Sequence, residues 1–359
     1  MRSEIELILL GCLSHRTREE EARFDELLKA KQDWAFITGE LIRHRVNGNF
    51  FTSMNKEQKG YIVHKVRQTL NMLCNVYEAA NKVNLELSQT IIEKTNEAGI
   101  VIAGLKGMVF NTNLYPLGAR RSNDIDVLVC EDDLSIFDKV MRELGFIQSL
   151  DGGRTEATKK EKLIQRMNYH DLVPYVKRIE LPYLNCLKVD VNFHFESKDH
   201  DITRAILDEG VQVYKSNGFM IQGLKWTTHL MHLCVHFYRE ASDSIWTSKG
   251  RDVDLYKLVD LQNSLRLFKD EQLLIWCDAI NKFELNKQCY FAIYYLNQFY
   301  PENIYKKIME KIKPNDLNFL TVVTVSGGVV QHRKRSFFDQ TFDMNYGRDF
   351  TERDFLRVF

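Results

Sequence analysis

The residues best suited to chemistry lie close together in residues 120–129, where two carboxylates are separated by a single isoleucine. Side chains alternate along a β-strand, so Asp124 and Asp126 would point to one side of a strand and the apolar residues to its buried side. Two carboxylates this close repel each other, and a cation removes that repulsion. Hard cations such as Mg²⁺ prefer oxygen ligands. We therefore predict that Asp124 and Asp126 bind metal.

Cationic residues upstream of this pair are placed to meet an anion that arrives with the metal. A short predicted strand leads into a Lys-Gly turn, and an apolar stretch then opens a helix. Backbone N–H groups at such a helix start favour phosphate, and arginine side chains suit it as well. The candidate nucleotide-binding set therefore consists of Lys106, Gly107, Arg120, Arg121 and Ser122. A Lys-Gly pair by itself is also typical of a loop lysine beside a turn glycine.

A second strand, predicted at residues 189–195, carries further polar side chains on one face. Its apolar residues alternate with Asp190, Asn192 and His194. If this strand lies beside the first with the polar faces aligned, Asp190 becomes a third carboxylate for the same metal ions. Asn192 and His194 then become candidates for substrate contacts. A polar face that simply meets solvent would produce the same pattern.

Two other patterns that mimic metal sites are better explained by packing. His229, His232 and His236 share one helix face, and the last two have a zinc-like spacing. Apolar neighbours favour a packed helix in which such histidines are buried or hydrogen-bonded. Asp252 and Asp254 repeat the Asp-x-Asp pattern, but the apolar spacing that follows predicts a helix, on which residues two apart do not face each other. We therefore predict no metal at either place.

The composition bounds the class of protein. The 359 residues include 49 Lys plus Arg and 49 Asp plus Glu, so no overall charge attracts nucleic acid. The basic residues 332–335 leave such binding open, although a solvated surface is expected there. Seven cysteines without a Cys-x-x-Cys pair are typical of a reducing cytosol. No apolar stretch of about 18 residues predicts a membrane span, so we expect a cytoplasmic protein without a membrane partner.

The periodicity predicts an α+β protein, with a small mixed β-sheet core flanked by N- and C-terminal helical regions. Helical spacing dominates residues 1–96, where Ser88 is predicted to cap a separate last helix. The catalytic core is predicted at residues 97–202 and a C-terminal helical region at residues 203–312. A tail without predicted structure follows at residues 313–359.

The motifs around the first carboxylate pair resemble the nucleotidyltransferase superfamily that includes DNA polymerase β-like and aminoglycoside-modifying enzymes. The sequence looks most similar to a bacterial group often labelled uncharacterised nucleotidyltransferase. That group has a Leu-Lys-Gly turn, a Tyr-Pro segment, an arginine four residues before Asp-Ile-Asp, and a later Asp-hydrophobic-His-aromatic strand. The matching residues are Leu105-Lys106-Gly107, Tyr115-Pro116, Arg120, Asp124-Ile125-Asp126 and Asp190-Val191-Asn192-Phe193. Asn192 replaces the histidine of the group.

The resemblance implies two-metal transfer of a nucleoside monophosphate from an NTP, with two Mg²⁺ ions or with Mn²⁺ in their place. Asp124 and Asp126 would bind both ions, and Asp190 would complete the ion that activates the acceptor oxygen. Such ions clamp the attacking and leaving oxygens during displacement at the α-phosphorus. Asp190 would also lie closest to the acceptor hydroxyl, which makes it the candidate general base.

The resemblance also implies roles for the upstream cations. Lys106, Arg120 and Arg121 would hold the β- and γ-phosphates. The turn at Gly107 would let the backbone approach those phosphates. Pyrophosphate would be the product that leaves.

The acceptor is left open as a hydroxyl or phosphate of a small molecule, peptide or protein. One alternative is a catalytically silent relative that binds nucleotide or acts as a scaffold. The presence of all three aspartates argues against it. Another is a toxin-like nucleotidyltransferase acting on tRNA, and the neutral net charge argues against that. The expected partners are therefore an NTP and one such acceptor, with nucleic acid not expected but not excluded.

Overall fold

The computed structural model describes residues 1–324 and 330–345 and the backbone of Phe355–Arg357. The chain divides into two compact units, one of residues 71–229 and one that combines residues 1–70 with residues 230–359. The tail predicted from residue 313 falls partly outside the described residues. Within those residues, none of the helices combines the length and the apolar composition that crossing a membrane would need.

The N-terminal part of the chain is helical, as predicted. Side-chain caps fix several of the helix starts; for example, Thr17 and Glu20 form a reciprocal capping box. The helices are α1 (Ser3–Gly11), α2 (Arg18–Lys29), α3 (Trp34–Arg43), α4 (Asn47–Thr52), α5 (Lys56–Gly60) and α6 (His64–Glu97).

A mixed β-sheet organises the unit of residues 71–229. Its strands are β1 (Ile102–Gly104), β2 (Ile125–Val129), β3 (Ile147–Gln148), β4 (Tyr175–Leu181), β5 (Leu184–Asn192), β6 (Val211–Ser216) and β7 (Phe219–Leu224). Among the described residues these seven strands lie in the order β3-β4-β5-β2-β1-β7-β6. Helices between them are α7 (Gly107–Val109), which continues as a π-helix over Phe110–Leu114, α8 (Leu134–Glu143), α9 (Lys159–Asn168) and α10 (Thr203–Asp208).

Alternate apolar residues of β2 and β5 lie on one face of the sheet. They share a core with side chains from α6 and α8, including Ile125, Val127, Val129, Val189, Val191, Ile91 and Phe137. This packing follows from the period-2 pattern, because alternate side chains of a strand meet the same layer. The α+β class is confirmed. The polar side chains of the same strands point to the opposite face.

One long helix, α6, occupies the region where two helices were expected. Ser88 is not a cap, because its hydroxyl donates to the carbonyl of Asn84 inside the helix. No glycine or proline interrupts residues 63–97, so nothing in the sequence breaks the helix there. The expected end is confirmed, since α6 ends at Glu97 and Gly99 follows with a φ of 78°.

A β-hairpin occupies residues 211–224, which were predicted to be helical. Asn217 and Gly218 join β6 to β7 with φ values of 52° and 83°. Two positive φ angles at an Asn-Gly pair are what a two-residue hairpin turn of the primed type requires. The helical prediction was wrong because it gave no weight to this turn signal.

The C-terminal part of the chain is mostly helical, as predicted. Its helices are α11 (Trp226–Ala241), α12 (Ser244–Thr247), α13 (Leu255–Leu265), α14 (Asp270–Lys282), α15 (Asn286–Phe299), α16 (Asn303–Lys311) and α17 (Phe337–Thr341). Three short strands, β8 (Val322–Thr324), β9 (Val330–Arg333) and β10 (Phe355–Arg357), form a separate sheet.

A buried ion pair corrects two predictions in this region. Asp252 and Asp254 precede α13 rather than lie on it. The side chain of Asp252 is fully buried and accepts a hydrogen bond of 2.6 Å from Arg333 Nη2. Arg333 is buried as well, so the basic residues 332–335 are not simply a solvated surface. Burial of either charge alone would be costly, and the pairing offsets that cost.

Candidate active site

Two neighbouring parallel strands bring the three predicted carboxylates together. β2 pairs with β5 in a register that places Asp126 directly opposite Asp190. Asp124 immediately precedes β2 and lies on the same side as Asp126, because side chains alternate along the strand. The predicted adjacency of the two strands is thereby confirmed. Three acidic side chains thus share one face of the sheet.

The surroundings of the three carboxyl groups disfavour their charged forms. Burial, together with the charge of Asp190, raises the pKa of Asp124. Burial also raises the pKa of Asp126, with Asp124 adding to the rise and Lys106 opposing it. The pKa of Asp190 is raised by burial and by Asp126 against the effect of Lys188. Lost hydration and mutual repulsion therefore act together, and a bound cation would relieve both.

Two lysine side chains supply positive charge to these carboxylates. Lys106 Nζ donates to Asp126 Oδ1 at 2.8 Å. Lys188 Nζ donates to Asp190 Oδ2 at 2.7 Å and lies 4.0 Å from Asp124 Oδ2. Burial lowers the pKa of Lys188, but Asp190 and Asp124 raise it above its usual value. The ammonium group of Lys188 therefore stays charged near neutral pH.

The donor set suits a hard divalent cation. All the candidate ligands are carboxylate oxygens, which Mg²⁺ and Mn²⁺ prefer. As the side chains lie, no group of three or more His, Cys, Asp or Glu residues in the described part of the chain converges as a metal site requires. Each of Asp126 and Asp190 is instead engaged by a lysine. A metal ion would fit the chemistry of the cluster once those ammonium groups move aside.

A strained turn directs the side chain of Lys106 to the cluster. Its backbone has φ 42° and ψ −111°, in a region that is costly for any residue except glycine. Two hydrogen bonds hold the turn: Leu105 N–H donates to the Asp126 carbonyl at 2.9 Å, and Lys106 N–H donates to His229 Nε2 at 3.0 Å. Burial and the charges of Arg120 and Lys106 lower the pKa of His229 to about 3. His229 is therefore a neutral acceptor that positions the turn.

Gly107 lets the following loop pack closely against this turn. A Cβ atom at this position would lie 2.2 Å from Ser122 Oγ and 3.2 Å from Arg120 Nη1. Ser122 Oγ accepts hydrogen bonds from Arg120 Nη1 at 3.2 Å and from Asn111 Nδ2 at 3.0 Å. The Arg120 guanidinium lies 5.1 Å from the centre of the Phe110 ring. Arg120 is thus held beside the carboxylates, and its charge opposes the rise in their pKa values.

Helix α6 anchors the arginine loop, which comprises residues 115–124 and carries Arg120. Asn81 Nδ2 donates to the Leu117 carbonyl at 2.6 Å and to the Arg120 carbonyl at 2.8 Å. Asn84 Nδ2 donates to the Ser122 carbonyl at 3.3 Å. Both asparagines are buried. The long helix therefore fixes the position of the arginine loop relative to the sheet.

The remaining predicted residues have other hydrogen-bond or charged partners than the three carboxylates. Arg121 is exposed and donates within its own loop. Asn192 is buried, and its amide donates to the Val127 carbonyl at 3.4 Å. His194 was predicted to lie on the same strand, but β5 ends at Asn192. The side chain of His194 is buried, with Nδ1 3.5 Å from Asp201 Oδ2. The phosphate role of Arg121 and the substrate roles of Asn192 and His194 stay predictions.

Several residues of the site were not identified from the sequence. Lys188 could have been, because it lies two residues before Asp190 and alternation puts both on one strand face. His229 was correctly predicted to be a packed or hydrogen-bonded histidine, but its partner was not. Asn81 and Asn84 share a helix face, and nothing in the sequence pairs them with a loop more than thirty residues away.

Comparison with known proteins identifies the family. The model of a family described as uncharacterised nucleotidyltransferase matches residues 30–301. No curated protein and no solved structure matches the chain. The matched range contains the carboxylate cluster, the strained turn and the arginine loop. The chain therefore belongs to this family of uncharacterised nucleotidyltransferases.

Proposed function

We propose that this protein transfers a nucleoside monophosphate from an NTP to an acceptor hydroxyl or phosphate, with release of pyrophosphate and with Mg²⁺ or Mn²⁺ as cofactor. The observation that carries the proposal is the parallel pairing of β2 with β5, which sets Asp126 opposite Asp190. Membership of a nucleotidyltransferase family supports nucleotidyl transfer in general. A relationship to the DNA polymerase β-like superfamily is part of the same proposal.

In this proposal the carboxylates hold the metal and the acceptor. Asp124, Asp126 and Asp190 would be the metal ligands, and the bound cation would offset their repulsion and polarise the α-phosphate. Asp190 is also proposed as the general base for an acceptor hydroxyl. Its raised pKa brings it closer to neutral pH, where a base takes up a proton most effectively.

The cations of the turn and the loop are proposed to bind the triphosphate. Lys106 would exchange Asp126 for a phosphate oxygen, and Arg120 would offer its guanidinium from the loop that Ser122 and α6 hold in place. Arg121 is exposed and would contact a phosphate only from the solvent side of its loop. Gly107 contributes through its missing side chain, because that space is needed by Ser122.

The decisive experiment incubates the protein with each of four α-labelled NTPs, Mg²⁺ and a host extract. Mass spectrometry then searches for an adduct of nucleotide size, while pyrophosphate release is measured in parallel. The Asp124→Ala variant should abolish both signals and stay folded. Asp208→Ala changes an exposed aspartate at the end of α10 and serves as the matched control. Unchanged release by Asp124→Ala would show that the site is assigned wrongly.

One observation favours a second candidate function, a catalytically silent nucleotide-binding relative. The lysines on Asp126 and Asp190 neutralise part of the cluster without any metal ion. Such a protein would bind NTP through Lys106 and Arg120 and release no pyrophosphate. Calorimetry with an NTP in Mg²⁺, beside the pyrophosphate assay, separates the two functions, because the silent relative would bind the nucleotide and release no pyrophosphate.

A further inference from the structure

Lys188 contacts two of the three carboxylates, yet the proposed reaction gives it no part. Its ammonium group lies 2.7 Å from Asp190 Oδ2 and 4.0 Å from Asp124 Oδ2. The sheet explains this position: Ile125 lies opposite Val189, so one residue earlier in the same register Lys188 comes opposite Asp124. The pairing of β2 with β5 that forms the site therefore also determines the position of Lys188.

The contacts of Lys188 use the oxygen atoms that a cation would need. An ammonium group at hydrogen-bond distance occupies lone pairs of Asp190, and its charge repels a second cation nearby. The side chain of Lys188 is 37% exposed, so solvent is available to it when it leaves the carboxylates. An ion pair with that much exposure is partly screened by water and is weaker than a buried pair. The lysine can therefore be displaced.

We propose that Lys188 competes with the divalent cation for Asp124 and Asp190, so that the protein binds metal weakly by itself and takes it up together with the nucleotide. The inference rests on the proposed function, because it assumes that these carboxylates are metal ligands. A metal ion that arrives with an NTP brings phosphate oxygens as extra ligands. The phosphates also carry negative charge, which gives the displaced ammonium group a new partner.

Lys106 plays a different part in this scheme. It reaches Asp126 from the strained turn whose backbone is tied to His229. That turn leads directly into Gly107 and the arginine loop, so Lys106 belongs to the proposed triphosphate site. Lys188 instead belongs to the strand that carries Asp190. Lys106 therefore also opposes a cation, at Asp126, but Lys188 is the lysine that can be changed without altering the proposed triphosphate site.

The test measures Mn²⁺ binding without nucleotide, by the electron paramagnetic resonance signal of free Mn²⁺. Lys188→Met removes the competing charge and should tighten Mn²⁺ binding by about tenfold or more, since a unit charge a few ångströms away is lost. Lys188→Arg keeps the charge and should bind as weakly as the wild type. Lys215→Met, which changes an exposed lysine of β6, is the matched control. Adding Asp190→Asn to Lys188→Met should remove the gain.

Thermal unfolding provides a second measurement that does not depend on activity. Without metal, Lys188→Met should unfold at a lower temperature than the wild type, because the carboxylates lose a counter-charge. Mn²⁺ should then raise its unfolding temperature by more than it raises that of the wild type. A general packing defect would lower stability in both conditions and would not strengthen the response to metal.

The outcomes separate the inference from the proposed function. Equal or weaker Mn²⁺ binding by Lys188→Met would overturn the competition, and binding of a non-hydrolysable NTP with Mn²⁺ to the wild type, read by calorimetry, would then leave the proposed function standing. Absence of Mn²⁺ binding by every variant, with and without that nucleotide, would overturn both. Tighter binding by Lys188→Met alone, lost again with Asp190→Asn, supports the competition.

Discussion

Replacement of Gly107 by alanine tests how closely the arginine loop packs on the strained turn. The added methyl group would lie 2.2 Å from Ser122 Oγ, 3.0 Å from Ser122 Cβ and 3.2 Å from Arg120 Nη1. Contacts below 3.0 Å do not occur between such atoms, so Ser122 must move. Its hydroxyl accepts hydrogen bonds from Arg120 and Asn111, and both would be disturbed by that movement.

The size of the effect follows from these contacts. Overpacking of a well-packed site costs about 1–3 kcal/mol, and each disturbed hydrogen bond adds about 1 kcal/mol. We therefore expect Gly107→Ala to lower the free energy of opening of this segment by about 3 kcal/mol, which corresponds to roughly a hundredfold faster hydrogen exchange. Nucleotide binding should weaken as well, because Arg120 is displaced with Ser122.

Hydrogen exchange of peptides from residues 102–129, read by mass spectrometry, measures the effect locally. Ser122→Gly removes both atoms of Ser122 that the methyl group would meet, so Gly107→Ala should cost much less in that background, with a coupling of about 1–3 kcal/mol. Gly39→Ala is the control, since its methyl group would meet only Met344 Cε at 3.6 Å, an ordinary contact. An equal cost of Gly107→Ala with and without Ser122 would refute the proposed steric cause.

Two further predictions concern residues that position the site. The pKa of His229 falls from 6.5 to about 3 in the folded chain, so the unfolded chain binds the extra proton and stability is lost as the pH drops from 6.5 towards 3. His229→Gln keeps an acceptor for Lys106 N–H and should remove this loss of stability at acid pH, which amounts to roughly 4–5 kcal/mol. Urea midpoints that fall by the same amount in both proteins between pH 7 and 4 would contradict this prediction. Asn81→Ala removes the donor to the Arg120 carbonyl and should cost about 2–3 kcal/mol and weaken NTP binding in calorimetry. Asn113→Ala, at an exposed position of the π-helix, should do neither.

Local patterns were enough to predict that two strands carry the carboxylates, although the second was predicted at residues 189–195 and β5 instead spans Leu184–Asn192. Polar and apolar residues alternate over Asp124–Val127 and Val189–Asn192, and the apolar side chains of these stretches lie in one core as that period requires. The adjacency of the strands was a hypothesis that linked Asp126 with Asp190, and the pairing bears it out. Alternation would also have placed Lys188 beside Asp190, because the same period applies to both residues.

Other parts of the site depend on contacts that no local pattern encodes. The acceptor of the Lys106 N–H is His229, which lies 123 residues later in the chain. The donor to the Arg120 carbonyl is Asn81, 39 residues earlier. Polar side chains of this kind satisfy buried backbone groups wherever the fold brings them together. Only the tertiary structure selects the partner, so propensity and periodicity could not predict either contact.

Several features that are costly for folding occur together around one short segment of the sheet. Lys106 has a positive φ, His229 is buried with a strongly lowered pKa, and three carboxyl groups have raised pKa values. Asparagine in place of the aspartates would fill almost the same space without the repulsion. A purely structural role would therefore favour the neutral side chain. Strain and repelling charges in one place are typical of a site that is built for a ligand, and the ligand that we propose for this cluster, a metal cation with its nucleotide phosphates, would balance them.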